Sequence, residues 1–272
     1  MNTVFPNETA ASVQGAKIYE EGEGRELEIP EARFENTETR VMTGSPVRAL
    51  YGGTVPEKVT MLDAGAFMHP AAGFEKGNMG QEEMLCSESN LFNILQQLDE
   101  PFYRKNRAFY RGGLFTDRAL FVPDVAFSRN GEMRTANVEL VAAPNRNRAI
   151  DNIRGTEECN ADLKRRIETI FRIAAANETD LLIVNAFGCG GLGNDPEMVA
   201  DLYERWLSEH PGVFQTVIFS IGRGPAEEVF ERHFGATEKK ARTAHEPKRD
   251  DQDDDDDSFL DGLELPDGIT LR

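Results

Sequence analysis

The chain has 272 residues and a formal net charge of −18, and hydrophobic residues make up 39% of it. This length suffices for one large α/β domain or two small ones. The excess of acid argues against nucleic-acid binding through general electrostatics, because such a surface repels phosphates. No apolar run approaches the ~20 residues that span a bilayer. The first ten residues also lack the basic start and apolar stretch of a secretory signal.

The cysteines and histidines indicate which cellular compartment suits the protein and which kinds of metal or disulfide site it can form. The three cysteines, Cys86, Cys159 and Cys189, show no CxxC spacing, and the four histidines show no HExxH spacing. A disulfide scaffold or a cysteine-rich zinc site is therefore excluded, and a reducing compartment is favoured. We expect an intracellular, cytoplasmic protein, with the nucleus as an alternative, and no metal or cofactor is required by these residues.

The first third of the chain predicts one strand and one helix. The N-terminal stretch has little apolar patterning, and residues 19–40 are expected to form loops or a solvated arm. The apolar run at 59–62 predicts a buried strand. It leads into a first turn of small residues over 63–80. Apolar residues at helical spacing over 85–98 then predict a helix that ends before Pro101.

The middle of the chain predicts two short strands and a long helix. Strands are expected at 119–122 and 138–143, each followed by a proline, and the basic stretch 146–154 is interpreted as a loop. Apolar residues recur at helical spacing over 163–174, which predicts an amphipathic helix.

The last third of the domain repeats a strand, turn and helix. A buried strand at 181–187 leads into a second turn at 188–194. Asp195 and Pro196 are typical of a helix start, because the aspartate caps the first turn and proline suits the first helical position. A further strand is predicted at 214–221.

Two strand–turn–helix units among other α/β elements predict a three-layer α/β/α sandwich with a mixed, mostly buried sheet. In such sheets ligands bind beyond the carboxyl ends of the strands, where helices begin. We therefore expect the first and second turns to face each other across one pocket.

The chain end differs in composition from the rest. We predict a domain over 1–237 and an acidic, disordered tail over 238–272. Residues 250–272 hold ten acidic residues and one arginine, so half of the net charge lies there. Repulsion between these charges prevents independent folding, which favours a solubilising role. A motif that binds a protein partner, around Phe259, Leu260, Leu263 and Leu265, is the alternative.

The first turn brings glycines close to a run of acids. Seven residues separate Gly73 from the run Gln81, Glu82 and Glu83. Glycine permits close backbone approach, so free amides can point at a phosphate. The two glutamates fall in the first turn of a helix, where the helix dipole favours their ionised form. They are interpreted either as a catalytic pair or as ordinary acids of a first helical turn.

The second turn carries four glycines within six residues, from Gly188 to Gly193. A strand that enters a glycine loop and then a helix N-terminus forms an anion site. A tight connection with positive φ is the alternative. The pattern matches neither GxxxxGK[ST] nor GxGxxG, which argues against a Walker ATPase or a standard dinucleotide fold. Cys189 is interpreted as a small apolar filler more readily than as a nucleophile.

These segments resemble a known family. The segment PAAGFEKGNMGQEEMLCSESNL resembles the signature of microbial-type poly(ADP-ribose) glycohydrolases, which are macrodomain proteins. The segments LLIVNAFGCGGLGNDPEMVADLY and FQTVIFSI resemble the same family, and the likeness extends over residues 3–234 in order.

The resemblance implies a macrodomain that binds ADP-ribose or an ADP-ribosylated protein. It implies that Ala71, Ala72 and Gly73 cradle the pyrophosphate and distal ribose. Gln81 and Glu82 would bind the ribose hydroxyls, and Asp63 would help to place the adenine or a ribose. The other side of the diphosphate would be wrapped by Gly188, Cys189, Gly190, Gly191, Leu192, Gly193 and Asn194.

The implied reaction is hydrolysis of a ribose–ribose glycosidic bond with Glu83 as general acid. Glu83 would protonate the leaving oxygen and then help to activate water, while Glu82 and the diphosphate stabilise the oxocarbenium-like state. A proton donor needs a raised pKa, which burial and a like-charged neighbour provide.

The sequence departs from the family pattern at two places. Ala71 and Ala72 stand where glycines are usual, and Leu192 stands where an aromatic residue is common. The added methyl groups would crowd the diphosphate, and any positive φ there would cost ~1–2 kcal/mol per residue. Besides the hydrolase, two functions therefore stay open: a non-catalytic reader of ADP-ribose or a nucleotide, and an interaction protein that acts through its tail.

Overall fold

A mixed sheet lies at the centre of the structure, a computed structural model that describes residues 5–53 and 56–235. Its strands are β1 (Lys17–Tyr19), β2 (Glu38–Thr43), β3 (Val59–Asp63), β4 (Ala119–Arg129), β5 (Glu132–Val141), β6 (Leu181–Val184) and β7 (Thr216–Ile221). Within the described ranges the seven strands lie in the order β1-β4-β5-β3-β6-β7-β2. The strands from β5 to β2 are parallel, whereas β4 and β1 add an antiparallel edge.

Helices cover both faces of this sheet. They are α1 (Pro6–Gly15), α2 (Glu23–Glu26), α3 (Pro46–Leu50), α4 (Gln81–Ser87), α5 (Leu91–Gln97), α6 (Arg104–Asn106), α7 (Arg146–Asp151), α8 (Thr156–Ala176), α9 (Pro196–Glu209) and α10 (Pro225–Phe234). Shorter helical turns span Phe74–Lys76, Asp99–Tyr103, Arg107–Phe109 and Arg111–Gly113. Helices α8, α9 and α10 share one apolar core with the sheet, and α3, α4 and α5 share a second on the opposite face.

Alternation along the central strands explains the two cores. In β3, Met61 packs towards α4 and α5, whereas Leu62 packs towards α8. In β6, Ile183 likewise packs on the face of α4 and α5, and Leu182 packs on the face of α8. A parallel strand buried on both faces is apolar throughout, as these strands are. The predicted three-layer α/β/α fold with a mixed sheet is confirmed.

The prediction of loops or a solvated arm over residues 19–40 is correct only in part, because α2 and the start of β2 lie in this range, and the stretch before it is ordered as well. Helix α1 packs on β4, β1 pairs with β4, and β2 pairs with β7 at the opposite edge. The two strands lie at the edges, where one side of each is unpaired, and Glu38 and Arg40 interrupt the apolar pattern of β2. Edge strands therefore give a weak periodic signal.

The predicted end of a strand at Pro123 is also wrong. Strand β4 continues to Arg129 through a bulge between Val122 and Val125, where Asp124 has a φ of 52°. A bulge is one of the few places where a sheet tolerates proline. Strands β4 and β5 are then joined by Asn130 and Gly131, both with positive φ. Asn-Gly is a strong hairpin signal, so the sequence did contain this hairpin.

Two predictions need correction, and one helix was missed. The helix expected over 85–98 is divided into α4 and α5, because buried Asn90 lies between them and accepts a hydrogen bond from Ala126 N at 3.0 Å. The loop expected over 146–154 contains α7, which Asn145 caps by accepting from Arg148 N at 3.0 Å. Helix α10 was not predicted.

Parallel pairing brings five carboxyl ends to one edge of the sheet. Strands β2, β3, β5, β6 and β7 end there at Thr43, Asp63, Val141, Val184 and Ile221. The loops that follow them are the parts of an α/β sheet where ligands bind.

Among the residues that the structure describes, no helix is both long and apolar enough to cross a membrane. The tail predicted over 238–272 lies outside the described ranges, so the division of the chain at 237 stays a prediction.

Candidate active site

A cavity of about 900 Å³ lies at this edge of the sheet, and loops that follow four parallel strands line it. Ala64, Gly80, Gln81 and Met84 contribute from the first turn and the start of α4. The second turn contributes the residues from Gly188 to Leu192. The prediction that both turns face one pocket is therefore correct.

Gln81 connects the two sides of the cavity. Its Oε1 accepts hydrogen bonds from Ala64 N at 3.1 Å and from Asn185 Nδ2 at 2.5 Å, and its Nε2 donates to Leu62 O at 2.6 Å. Asn185 follows β6 directly and precedes the second turn. The side chain thus fastens the start of α4 to the ends of β3 and β6, and it lines the cavity as well.

Glu82 is only 4% exposed and does not line the cavity. Its Oε2 accepts a hydrogen bond from Ala66 N at 2.9 Å, and its Oε1 lies 3.0 Å from the position that a Cβ on Gly65 would occupy. That Cβ would also lie 2.9 Å from Leu140 Cδ1. A side chain at position 65 would therefore crowd the carboxyl group of Glu82, so glycine is required there.

Glu83 lies between two glycines of the first turn. Its Oε1 accepts a hydrogen bond from Gly73 N at 3.2 Å. A Cβ on Gly80, which lines the cavity, would lie only 2.4 Å from its Oε2. Glu83 is 7% exposed and does not itself line the cavity, but its carboxyl group lies directly behind Gly80, which does.

Asp63 is fully buried and does not line the cavity, so its predicted contact with a ligand needs correction. The side chain lies on the sheet face that α4 and α5 cover, because it ends β3 in register with Leu140. Neither of its carboxyl oxygens has a hydrogen-bond partner in the described structure, and the same holds for Glu82 Oε1 and Tyr103 Oη.

The buried carboxyl groups of Asp63 and Glu82 both have raised pKa values. Burial raises the pKa of Asp63 to about 8, and the charge of Glu83 adds to the effect. Burial and then Asp63 raise the pKa of Glu82 well above its ordinary value. Two adjacent carboxyls in an apolar surrounding cannot both ionise cheaply. We therefore expect both to be protonated at neutral pH in the free protein.

Ala71 and Ala72 adopt the strained conformation that the sequence suggested, with φ of 50° and 41°. Their methyl groups differ in environment. Ala71 is 1% exposed and packs in the apolar core beside α4 and α5, whereas Ala72 is exposed. At most one of the two methyl groups, that of Ala72, is therefore placed to crowd a ligand. Ala71, Ala72 and Gly73 are also absent from the lining of the cavity.

The second turn presents open backbone to the cavity. A Cβ on Gly190 or Gly191 would meet no described atom within 4 Å, and neither residue has a positive φ. In the described structure no backbone acceptor binds the amides of Gly190, Gly191 or Leu192. The folded protein does not itself require glycine at 190 and 191, so these two positions suit a ligand that approaches the backbone closely.

The remaining residues of the second turn are mainly structural. Gly188 and Gly193 have φ of 71° and 78°, and a Cβ on either would lie 2.2 Å from the side chain of Asn194 or Asn147 respectively. Asn194 is buried and donates to Pro144 O at 3.0 Å. Gly188 reaches the cavity, but Gly193 and Asn194 do not line it, so their predicted contact with the ligand has no support.

Cys189 and Leu192 line the cavity beside the open glycines. Burial raises the pKa of the Cys189 thiol to about 12, so it stays protonated at neutral pH and is a poor nucleophile.

The sequence interpretation missed the other half of the cavity. It is lined by Gly44, Ser45 and Pro46 after β2 and by the residues from Ser220 to Ala226, at the end of β7 and after it. The sequence did contain a signal for it. The apolar strand is followed by Gly222 and Gly224, and Pro225 then opens a helix. This repeats the pattern of the second turn on a smaller scale.

The group of described residues with spacing suited to a metal ion lies outside this cavity. It consists of Asp201, Glu204 and His233, on α9 and α10. His233 Nδ1 already contacts Glu204 Oε2 at 3.0 Å. None of the three residues lines the cavity.

Part of the chain matches a known protein family. Residues 2–130 match the family model described as microbial-type PARG, catalytic domain, where PARG stands for poly(ADP-ribose) glycohydrolase. This range includes the first turn, Glu82 and Glu83, but not the second turn. No curated protein matches the chain significantly.

Solved structures extend the likeness to most of the domain. The chain is similar to PARG from Thermomonospora curvata, with 26% identity and a TM-score of 0.74 over 84% of this chain and 89% of that one. The same enzyme bound to the inhibitor ADP-HPD gives 27% identity and a TM-score of 0.73, covering 84% and 88%. PARG from Deinococcus radiodurans in complex with ADP-ribose gives 26% identity and a TM-score of 0.74, covering 85% and 98%. The resemblance of this chain to the microbial-type poly(ADP-ribose) glycohydrolases, predicted from its sequence, is confirmed.

Proposed function

We propose that this protein is a poly(ADP-ribose) glycohydrolase that cleaves ribose–ribose glycosidic bonds. One observation carries the proposal: the start of α4, with the buried Glu83 directly behind Gly80, and an open glycine loop form two sides of one cavity, connected through Gln81 and Asn185. The similarity to PARG structures solved with ADP-ribose supports the same ligand. An ADP-ribosylated protein is the larger substrate that this ligand implies.

The cavity suggests how ADP-ribose would lie in it. Its diphosphate suits Gly190 and Gly191, where free amides and open space meet the requirements of an anion. The distal ribose then lies towards Gly80 and Glu83. The adenosine extends to the opposite end, between the loops that follow β2 and β7.

Glu83 is proposed as general acid. The hydrogen bond from Gly73 N to Oε1 fixes the carboxyl group, and Oε2 stands against Gly80 at the cavity wall. A proton passes from Glu83 to the leaving ribose oxygen as the C1–O bond breaks and positive charge develops on the distal ribose. The resulting carboxylate then takes a proton from the attacking water, which restores the acid.

Glu82 is proposed to position the substrate rather than to stabilise charge. An ionised carboxylate would offset the positive ribose, but the raised pKa of Glu82 favours the protonated form. A protonated carboxyl held by Ala66 N can donate to a ribose hydroxyl or to Glu83. The negative charge opposite the developing cation would then come from the substrate's own diphosphate.

The test compares Glu83→Gln and Glu83→Ala with the wild type. We expect release of free ADP-ribose from polymer to fall ~10²–10⁴-fold, which is the usual contribution of a general acid. ADP-ribose affinity by calorimetry and the circular dichroism spectrum should change little. Glu75→Gln, an exposed glutamate of the same segment, serves as the control. Equal turnover in wild type and both variants would remove Glu83 from the mechanism.

A non-catalytic reader is the second candidate, and the strained pair Ala71-Ala72 favours it. Tight ADP-ribose binding by the wild type without any release of ADP-ribose from polymer would select this function. The partner role of the acidic tail and the intracellular location remain predictions from the sequence.

A further inference from the structure

Three successive carbonyl groups of the second turn are held by the protein. Gly190 O accepts a hydrogen bond from Gly193 N at 3.0 Å, which closes a tight turn. Gly191 O accepts from Asn147 Nδ2 at 3.2 Å, and Leu192 O accepts from Asn147 N at 3.2 Å. Asn147, in the first turn of α7, therefore binds two of the three carbonyls.

The planar peptide group converts these bonds into a direction for an amide. In a trans peptide the N–H of one residue points opposite to the C=O of the residue before it. The peptide between Gly191 and Leu192 is trans, and its carbonyl points at Asn147. Leu192 lines the cavity, whereas Asn147 is outside the lining. The Leu192 N–H, which no backbone acceptor binds in the described structure, is thus directed away from α7 and towards the cavity.

Asn147 and the second turn fit each other closely. A Cβ on Gly193 would lie 2.2 Å from Asn147 Oδ1 and 2.7 Å from Asn147 Nδ2, so the side chain lies directly over this glycine. The first N–H groups of a helix have no acceptor within the helix. Leu192 O supplies the acceptor for the N–H of Asn147. The start of α7 and the turn are therefore joined through both backbone and side chain.

The segment that carries Asn147 is itself anchored to the rest of the domain. Asn145 caps α7, and its backbone N donates to Gly113 O at 2.9 Å. On the other side, Asn194 Nδ2 donates to Pro144 O at 3.0 Å. Asn147 thus projects from a fixed position, which is the condition for orienting a loop of glycines.

We propose that Asn147 is a positioning residue that aims the Leu192 amide at the diphosphate of the ligand. The inference rests on the proposed function, because the diphosphate is the group that the second turn would bind. Glycines lie on both sides of Leu192, so this peptide turns easily once its carbonyl is released. An amide that is already oriented spares the ligand the cost of ordering it. Support of the fold alone is the competing role of Asn147.

The experiment measures ADP-ribose affinity by calorimetry and release of ADP-ribose from polymer for the wild type, Asn147→Ala and Asn147→Gln. In Asn147→Ala the Kd of ADP-ribose and the KM for polymer should both rise about fivefold, the usual effect of one hydrogen bond. The kcat should change by less than about twofold, because the amide binds the diphosphate alike in the ground state and the transition state. Asn147→Gln carries the same donor on a longer side chain and should regain part of the lost affinity.

Asn152→Ala is the matched control. Asn152 is an exposed asparagine at the other end of α7, and its Nδ2 donates to a backbone carbonyl, Arg148 O, at 2.7 Å. Its hydrogen bonds in the described ranges go to carbonyls of α7 and not to the second turn. We expect Asn152→Ala to leave both Kd and KM unchanged. Asn147 is exposed as well, so the melting temperature of Asn147→Ala should stay close to that of the wild type.

A spectroscopic measurement reports on the peptide itself. Saturation of the wild type with ADP-ribose should move the Leu192 amide proton resonance to low field, because the amide then donates to a charged phosphate. In Asn147→Ala, also at saturation, this displacement should be smaller. A residue that only supports the fold would lower the melting temperature and leave the displacement as it is, which would overturn the proposal.

The other outcomes separate this inference from the proposed function. Unchanged Kd in Asn147→Ala, with normal turnover by the wild type, would overturn the role of Asn147 and leave the proposed function intact. Equal losses in Asn147→Ala and Asn147→Gln would mean that the amide donor does not hold the turn, which also contradicts the inference. ADP-ribose binding without release from polymer by the wild type would reject the hydrolase alone, since the Kd values still test Asn147. Failure of the wild type to bind ADP-ribose would reject both.

Discussion

The first and second turns differ in what their glycines face. In the first turn, a Cβ on Gly65, Gly73 or Gly80 would lie within 3.0 Å of a side-chain atom of the protein, which is Leu140, Asn78 or Glu83. In the second turn, a Cβ on Gly190 or Gly191 would meet nothing within 4 Å, although one on Gly188 or Gly193 would lie 2.2 Å from an asparagine side chain. Glycine-rich loops that look alike in sequence thus perform different tasks.

This difference separates catalysis from binding. The first turn uses its glycines to make room for the protein's own groups, above all the carboxyls of Glu82 and Glu83. The second turn leaves space and free amides for a group that comes from outside. Substitutions in the first turn should therefore affect turnover, whereas substitutions at Gly190 and Gly191 should affect affinity.

The largest effect is expected from Gly80→Ala. The added methyl would lie 2.4 Å from Glu83 Oε2, so the carboxyl group must move. A displacement of about 1 Å at a reacting group costs roughly 10²-fold in rate. We expect kcat for ADP-ribose release to fall by about that factor with little change in KM. Gly155→Ala, where a Cβ meets nothing, is the matched control. Unchanged kcat would show that Glu83 tolerates the methyl or does not react.

The second effect concerns the buried acids behind the first turn. Asp63 and Glu82 have raised pKa values when folded, so their stabilising contribution is full below the unfolded pKa of about 4. It is lost as the pH rises towards the folded pKa, about 8 for Asp63. We expect the free energy of unfolding to fall between pH 5 and 8 in urea titrations.

Asp63→Asn tests this assignment, because an amide resembles the protonated acid in shape. The free energy of unfolding of the variant should depend less on pH. At pH 8 it should exceed that of the wild type by on the order of 1–3 kcal/mol. Asp151→Asn, an exposed aspartate, should leave the profile as it is. Parallel profiles for wild type and Asp63→Asn would mean that Asp63 is ionised in the folded protein.

A smaller effect is expected from Gly191→Ala. Its Cβ enters open space, so the melting temperature should change little. A ligand against the backbone would meet this methyl, and we expect ADP-ribose affinity by calorimetry to weaken about tenfold, which corresponds to ~1.4 kcal/mol. Unaltered affinity, together with unaltered stability, would place the diphosphate elsewhere and remove the contrast between the two turns.

The smallest effects should come from the two strained alanines. Ala72→Gly relieves a positive φ and loses no packing, so the free energy of unfolding should rise by about 1 kcal/mol. Ala71→Gly relieves similar strain but removes a buried methyl, which is worth about 0.8 kcal/mol. Its net change should be close to zero. A greater gain for Ala71→Gly than for Ala72→Gly would contradict the assigned environments of the two methyl groups.

The sequence by itself determined the elements that carry strong local signals. The apolar strands β3 and β6, the capped start of α9 and the two glycine-rich turns could be predicted, because burial on both faces and helix capping leave a mark on consecutive residues. Parallel strands separated by helices then implied a common ligand edge. The pairing of Glu82 and Glu83 with the second turn followed from that topology.

Only the tertiary structure decided where the individual side chains of the site lie. That Asp63 is buried below the cavity, that Ala71 points into the core and that Gly193 serves the fold depends on neighbours distant in sequence, such as Asn147. The edge strands β1 and β2 and the half of the cavity formed after β2 and β7 were likewise decided by packing, since each is assembled from segments far apart in the chain. Local periodicity records which residues are buried, whereas the chemistry of a cavity depends on which distant residues are buried together.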